Sequence, residues 1–95
     1  MAFGPAETWC DFDPMHFNDE PGTAAGGVFG LFKDKKCVYV AGANNIRAEL
    51  ERLAKGSNPC VSRYKPNQYQ YQLVLPSNRQ ARVDELRSSY KPLCP

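Results

Sequence analysis

The sequence has a single histidine, His16, and its cysteines stand alone at Cys10, Cys37, Cys60 and Cys94. No CxxC or CxxxH pair occurs, so the spacing offers no zinc site. No apolar run approaches the ~20 residues that a membrane-spanning helix needs. The N-terminus lacks the basic-then-apolar layout of a signal peptide. These absences lead to the expectation of a soluble, cytoplasmic protein with no membrane partner. The four cysteines can pair in an oxidising compartment; in the cytosol they are expected as reduced, mostly buried thiols. Neither Cys37, expected buried in a strand, nor Cys94, expected more exposed, has a histidine beside it to make a catalytic thiol. Charge of one sign is also scarce. A net charge of +2 does not by itself argue for nucleic acid. There is no internal repeat, low-complexity tract or linker.

What is present fits one small domain over residues 1–95 with a thin core. The hydrophobic fraction of 42% and charged fraction of 23% are ordinary for a globular chain. Residues 26–55 organise it. Two runs rich in β-branched and aromatic residues, Val28–Phe32 and Cys37–Ala41, flank the polar knot Lys33-Asp34-Lys35-Lys36 and predict a β-hairpin. The turn Gly42-Ala43-Asn44-Asn45 then leads into Ile46, Leu50, Leu53 and Ala54 at helical spacing. A helix over about Asn45–Lys55 follows, with Asn44 and Asn45 as capping residues and Gly56 placed to end it.

The flanks complete the pattern. Residues 1–25 hold Gly4, Pro5, Pro14, Pro21 and Gly22, acidic residues such as Glu7, Asp11, Asp13, Asp19 and Glu20, and the scattered apolar side chains Phe3, Trp9, Phe12, Met15 and Phe17. They predict an irregular arm laid against the sheet. The prolines of 57–66 predict a loop with at most one helical turn. Gln68–Leu75 alternates, with Tyr69, Tyr71, Leu73 and Leu75 on one face, as in a half-exposed antiparallel strand that Pro76 stops. Ser77 and Gln80 make a capping box for a helix over Asn78–Ser89, buried through Val83, Leu86 and Tyr90. The fold class expected is α+β: a small three-stranded antiparallel sheet flanked by helices, in the order β-β-α-β-α.

Two further clusters carry chemistry. His16, with Asp13 and Asp19 nearby, can serve as a general base or metal ligand, or as a plain surface residue. Lys33, Lys35, Lys36, Arg63, Lys65, Arg79, Arg82, Arg87 and Lys91 bind phosphates if they gather on one face. Arg63-Tyr64-Lys65 with Tyr69 and Tyr71 has the basic-plus-aromatic mix used for single strands. The alternative is a solvated surface over strand aromatics that face the core.

Gly27-Val28-Phe29, then Tyr39-Val40-Ala41, then Asn45-Ile46 opening an amphipathic helix, resembles the GIY-YIG nuclease domain. That family includes homing endonucleases, some restriction enzymes and the excision-repair subunit that makes the 3′ incision. The resemblance covers about residues 26–95 and includes the element order and a proline after the last helix. It implies two tyrosines beside the scissile phosphate, an arginine on the first helix, and a glutamate on the last long helix that holds a divalent metal, commonly magnesium. Here the first tyrosine is Phe29 and the second is Tyr39. The motif's last glycine is Ala41, with Gly42 just after it. The arginine position falls on Glu49, the glutamate position on Val83, and a closing asparagine on Pro95. A one-turn shift offers Arg47 or Arg52 as the arginine, and Asp84 or Glu85 as the acid.

The resemblance therefore implies a degenerate domain with no metal ligand in this register. Its role is then to bind nucleic acid or a protein partner through a cleft of Phe29, Tyr39, Asn45, Arg47 and Glu49. The alternative is a magnesium-dependent endonuclease using Tyr39, Arg47 and Glu49, Asp84 or Glu85. No cofactor is expected unless the chain cleaves.

Overall fold

The computed structural model describes residues 9–95. Phe3, Gly4, Pro5 and Glu7 of the expected arm lie outside the described residues. The order is β1 (Cys10–Asp11), two 3-10 turns (Pro14–Asp19 and Pro21–Ala24), β2 (Gly27–Lys33), β3 (Lys36–Ala43), α1 (Ile46–Ala54), α2 (Pro59–Tyr64), β4 (Gln68–Leu73) and α3 (Pro76–Tyr90). The four strands form one antiparallel sheet in the order β1-β4-β2-β3. This corrects the three-stranded expectation. The arm supplies the extra strand, with Cys10 opposite Tyr69 and Asp11 opposite Gln68.

The hairpin closes through Asp34 and Lys35, both at positive φ (49° and 69°). Such values suit a two-residue turn that follows the right-handed strand twist. Side chains from β4's end hold it. Asn67 Oδ1 accepts from the Asp34 amide at 3.2 Å, and Gln68 Oε1 accepts from the Lys35 amide at 3.2 Å. Further along, Leu31 pairs with Tyr39 but Phe32 with Cys37, so Val38 is an extra residue on β3. Such a bulge changes the phase of the strand. Val38, Tyr39, Ala41 and Ala43 consequently share one face, while Cys37 and Val40 belong to the other.

Each face of the sheet has its own core. Phe29, Leu31, Val38 and Tyr69 pack with Ile46, Leu50 and Leu53 of α1, Val61 of α2 and Phe17 of the arm. On the other side Val28, Phe32, Cys37 and Val40 pack with Val83 and Leu86 of α3, with Trp9 and Tyr90 at the margin. The sheet is thus the middle layer between helices. The central position of β4 revises the half-exposed reading. Gln70 is only 2% exposed, whereas Leu73 and Leu75 are 54% and 69% exposed. Leu73 is already opposite Gly27, the first residue of β2, and the chain beyond it has no strand to cover it.

The remaining differences concern proline and cysteine. Pro59 and Pro76 both open helices, at the first-turn position where a missing N–H costs nothing. α2 is capped by Asn58 Oδ1, which accepts from Cys60 and Val61. α3 begins two residues earlier than the capping box implies, and no side chain caps it. Gly42 and Ala43, expected in a turn, lengthen β3. Cys60 and Cys94 form a disulfide rather than two thiols. Cys94 is fully buried, not exposed. Its amide donates to Val38 O at 2.8 Å and that of Leu93 to Cys37 O at 3.3 Å, so the C-terminal tail lies along the outer edge of β3. Cys10 and Cys37 are buried and lie outside the disulfide.

Candidate functional site

A cavity of about 630 Å³ opens where the end of β3 passes between α1 and α3. Tyr39 to Ala43 form its floor, Asn44 and Glu49 one side, and Pro76, Arg79, Gln80, Val83 and Arg87 the other. The phase set by the bulge at Val38 places Tyr39 over Phe29, with ring centroids 6.3 Å apart. Arg79 is fixed twice: Nε donates to Val74 O at 2.9 Å and Nη1 to Asn44 Oδ1 at 2.7 Å. Its guanidinium fills the space beside Gly26, where a Cβ would stand 2.0 Å from Nη2.

Of the cleft residues expected from the sequence, Tyr39 and Glu49 line this cavity. Phe29 is fully buried beneath Tyr39. Asn45 is the α1 cap, its Oδ1 accepting from the Ala48 amide at 3.1 Å. Arg47 points to the arm, where Nε donates to Thr23 Oγ1 at 3.2 Å and Nη2 to Glu20 O at 3.3 Å. Arg52 pairs with Glu49 one turn before it. The geometry therefore does not bring Phe29, Asn45 or Arg47 to the cavity wall.

Neither acid of α3 expected at the site, Asp84 or Glu85, lines the cavity. Asp84 accepts from Gln80 Nε2 at 2.9 Å, and Glu85 pairs with Arg82, whose Nε donates to Gln72 Oε1 at 2.8 Å. Val83, 7% exposed, occupies the middle of that wall. Arg79 and Arg87 belong to the nine basic residues expected to bind phosphates if they gather on one face, and the sequence does not single them out among the nine. Their positions one turn either side of Val83 put all three on one stripe of α3, and that spacing was the available signal.

The other sequence clusters do not assemble. Lys33, Lys35 and Lys36 sit at the hairpin tip, at the opposite end of β3 from Ala43. Tyr69 is buried, and the half-buried Tyr71 donates its hydroxyl to Glu20 Oε1 at 3.1 Å. His16 is exposed, with Nδ1 3.0 Å from Asp19 Oδ2. That hydrogen bond holds the imidazole above its usual pKa.

A smaller cavity of about 190 Å³ brings Cys10, Glu20 and Tyr69 together with His16 and Asp19. Burial, reinforced by Glu20, pushes the Cys10 thiol up to about 11, which keeps it protonated and unreactive at neutral pH. Burial likewise raises Cys37 to about 11. Burial and the bond to Glu20 raise Tyr71 to about 12.

The fold matches the GIY-YIG N-terminal endonuclease domain of UvrC from Thermotoga maritima, bound to its catalytic divalent cation, magnesium. The TM-score is 0.66 at 15% identity, covering 75% of this chain and 83% of that one. A point mutant of the same domain, also bound to its catalytic cation, aligns with a TM-score of 0.66 at 15% identity over 75% of this chain and 82% of that one. No family model and no curated protein matches the chain. The TM-score of 0.66 establishes the fold alone, and at 15% identity the chemistry is left to the residues. This chain has a GIY-YIG-like α+β fold.

The residues present do not fit a divalent cation. Among the cavity-lining side chains Glu49 is the one carboxylate, and Arg52 already pairs with it. Among the described residues no group of three or more His, Cys, Asp or Glu is arranged to hold a metal ion. A hard cation such as magnesium needs carboxylate oxygens in near-octahedral array.

Proposed function

We propose that this chain is a GIY-YIG-like domain that binds nucleic acid without cleaving it. The observation that carries the reading is the α3 wall of the cavity, where Val83 stands between Arg79 and Arg87 and neither Asp84 nor Glu85 lines it. Phosphodiester hydrolysis needs an activated water and positive charge where the transition state gathers negative charge. Arginines can hold a phosphate but do not activate water. A metal-dependent endonuclease with displaced groups is the second reading, and it is favoured by Tyr39 and Glu49 lining the same cavity.

The test is incubation of supercoiled plasmid with magnesium or manganese, beside a salt series of binding to a labelled duplex. Binding that weakens steeply with salt, without nicking, supports the proposal. Nicking lost in both Tyr39→Phe and Glu49→Gln establishes the second reading. If neither binding nor nicking occurs, the role belongs to a protein partner. The Cys60–Cys94 disulfide supports an oxidising compartment over the cytoplasm expected from the sequence. Among the described residues no helix is long and apolar enough to cross a membrane.

A further inference from the structure

Arg87 lines the 630 Å³ cavity and is half-buried, and its guanidinium has no hydrogen-bond or ion-pair partner among the described residues. This sets it apart from four other arginines of the helices. Arg79 is held by Asn44 and Val74, Arg82 by Gln72 and Glu85, Arg52 by Glu49, and Arg47 by Thr23 and Glu20. A partly desolvated cation without a counter-charge is unfavourable, and an anion in the cavity relieves it.

We infer that Arg87 and Arg79 form a metal-independent seat for the phosphates of a nucleic-acid backbone. This deepens the nucleic-acid reading above and rests on it for the identity of the ligand. The two arginines lie on one stripe of α3, two turns apart, so their Cα atoms are separated by about 12 Å along the helix. Both side chains are long enough to converge on one phosphate or to reach two phosphates of the same strand. Arg79 uses Nε and one N–H of Nη1 on the protein and keeps further N–H groups that the protein does not engage. Arg87 has its whole fork available for bidentate contact with phosphate oxygens.

The local charge agrees. Glu49, the one acid in the lining, is neutralised by Arg52, so the cavity is net positive. The wall that a carboxylate-bound cation would need is formed instead by Val83 with an arginine on either side. Fixed positive charge takes the place of the cation for binding phosphate.

The test uses the full chain with a short oligonucleotide in EDTA, titrated across a salt series, followed by the Arg Nε–H NMR signals. The expected result is binding in EDTA that added magnesium does not strengthen, with Arg87 shifting most. Arg87→Gln should weaken binding about tenfold and lower the salt slope by about one. Arg87→Lys should restore the slope with only part of the affinity. Arg79→Gln gives a second, independent loss.

The inference is overturned if EDTA abolishes binding, or if Arg87→Gln changes neither affinity nor slope while binding persists. In that last case the domain still binds nucleic acid, but elsewhere. If no oligonucleotide binds, inorganic pyrophosphate separates the two claims. A shift at Arg87 keeps the seat and removes nucleic acid as its ligand, and silence removes both.

Discussion

Arg47 reaches back across 24 positions to donate from Nε to Thr23 Oγ1 at 3.2 Å. Thr23 is itself fully buried and donates to Glu20 O at 2.7 Å. An α1 side chain therefore fixes the arm to the domain. Arg47→Ala should destabilise the fold by about 1–3 kcal/mol, because the partners of a charged donor lose it in a partly buried site. Hydrogen exchange should quicken across 14–25 while cavity binding stays unchanged. Weakened oligonucleotide binding with an intact arm would return Arg47 to the ligand site.

Gly27 has no room for a side chain. A Cβ there would stand 2.1 Å from Gln72 O and 2.9 Å from Leu73 Cα, both backbone atoms of the neighbouring strand. Gly27→Ala should cost about 3 kcal/mol or more, since β2 and β4 must part to admit one methyl group. Urea unfolding measures it. Gly42 is the control: a Cβ there meets Val83 Cγ2 at an ordinary 3.5 Å, so Gly42→Ala should cost far less.

Reduction should loosen the molecule. The Cys60–Cys94 bridge closes a separation of 34 residues, for which the loop-entropy account gives about 3–4 kcal/mol. Cys60→Ser with Cys94→Ser, or wild type under strong reductant, should lose stability on that scale in urea melts. A loss below about 1 kcal/mol would show that burial of the tail, not the covalent link, secures it.

Stability should fall in alkali. Cys10 and Cys37 are raised from 9.0 to about 11 and Tyr71 from 10.0 to about 12. Each is a weak acid whose folded pKa exceeds its unfolded one. Its contribution is complete below the unfolded value and disappears as pH rises through the folded value. Melting temperature should therefore hold to about pH 9 and drop between about pH 9 and 12. Tyr71→Phe should flatten the upper part of that drop.

The hairpin and both main helices could be read from residue type and spacing, because β-branched runs and the Ile46-Leu50-Leu53 stripe each state their own period. β1 could not. It is two residues long, and Cys10–Asp11 becomes a strand only because β4 leaves an edge to pair with. Pro59 and Pro76 were read as breakers because nothing local distinguishes a stop from a first-turn proline. The bridge partners 34 residues apart needed the fold to bring them together. At the cavity, Tyr39 and Glu49 could be placed from motif spacing. Arg47 misled because helical counting gives a residue's face but not the partner that claims it.

β4 is the last strand in the chain, yet it lies between β1 and β2. During synthesis the hairpin therefore emerges with β2's inner edge bare, and Cys10–Asp11 has no strand to join until Gln68 and Tyr69 follow. The nascent chain must carry an open, apolar strand edge over the intervening residues, the condition in which chains pair with one another. A pause in translation between Ala43 and Gln68 prolongs that condition. Once β4 inserts, it closes the sheet on both sides at once.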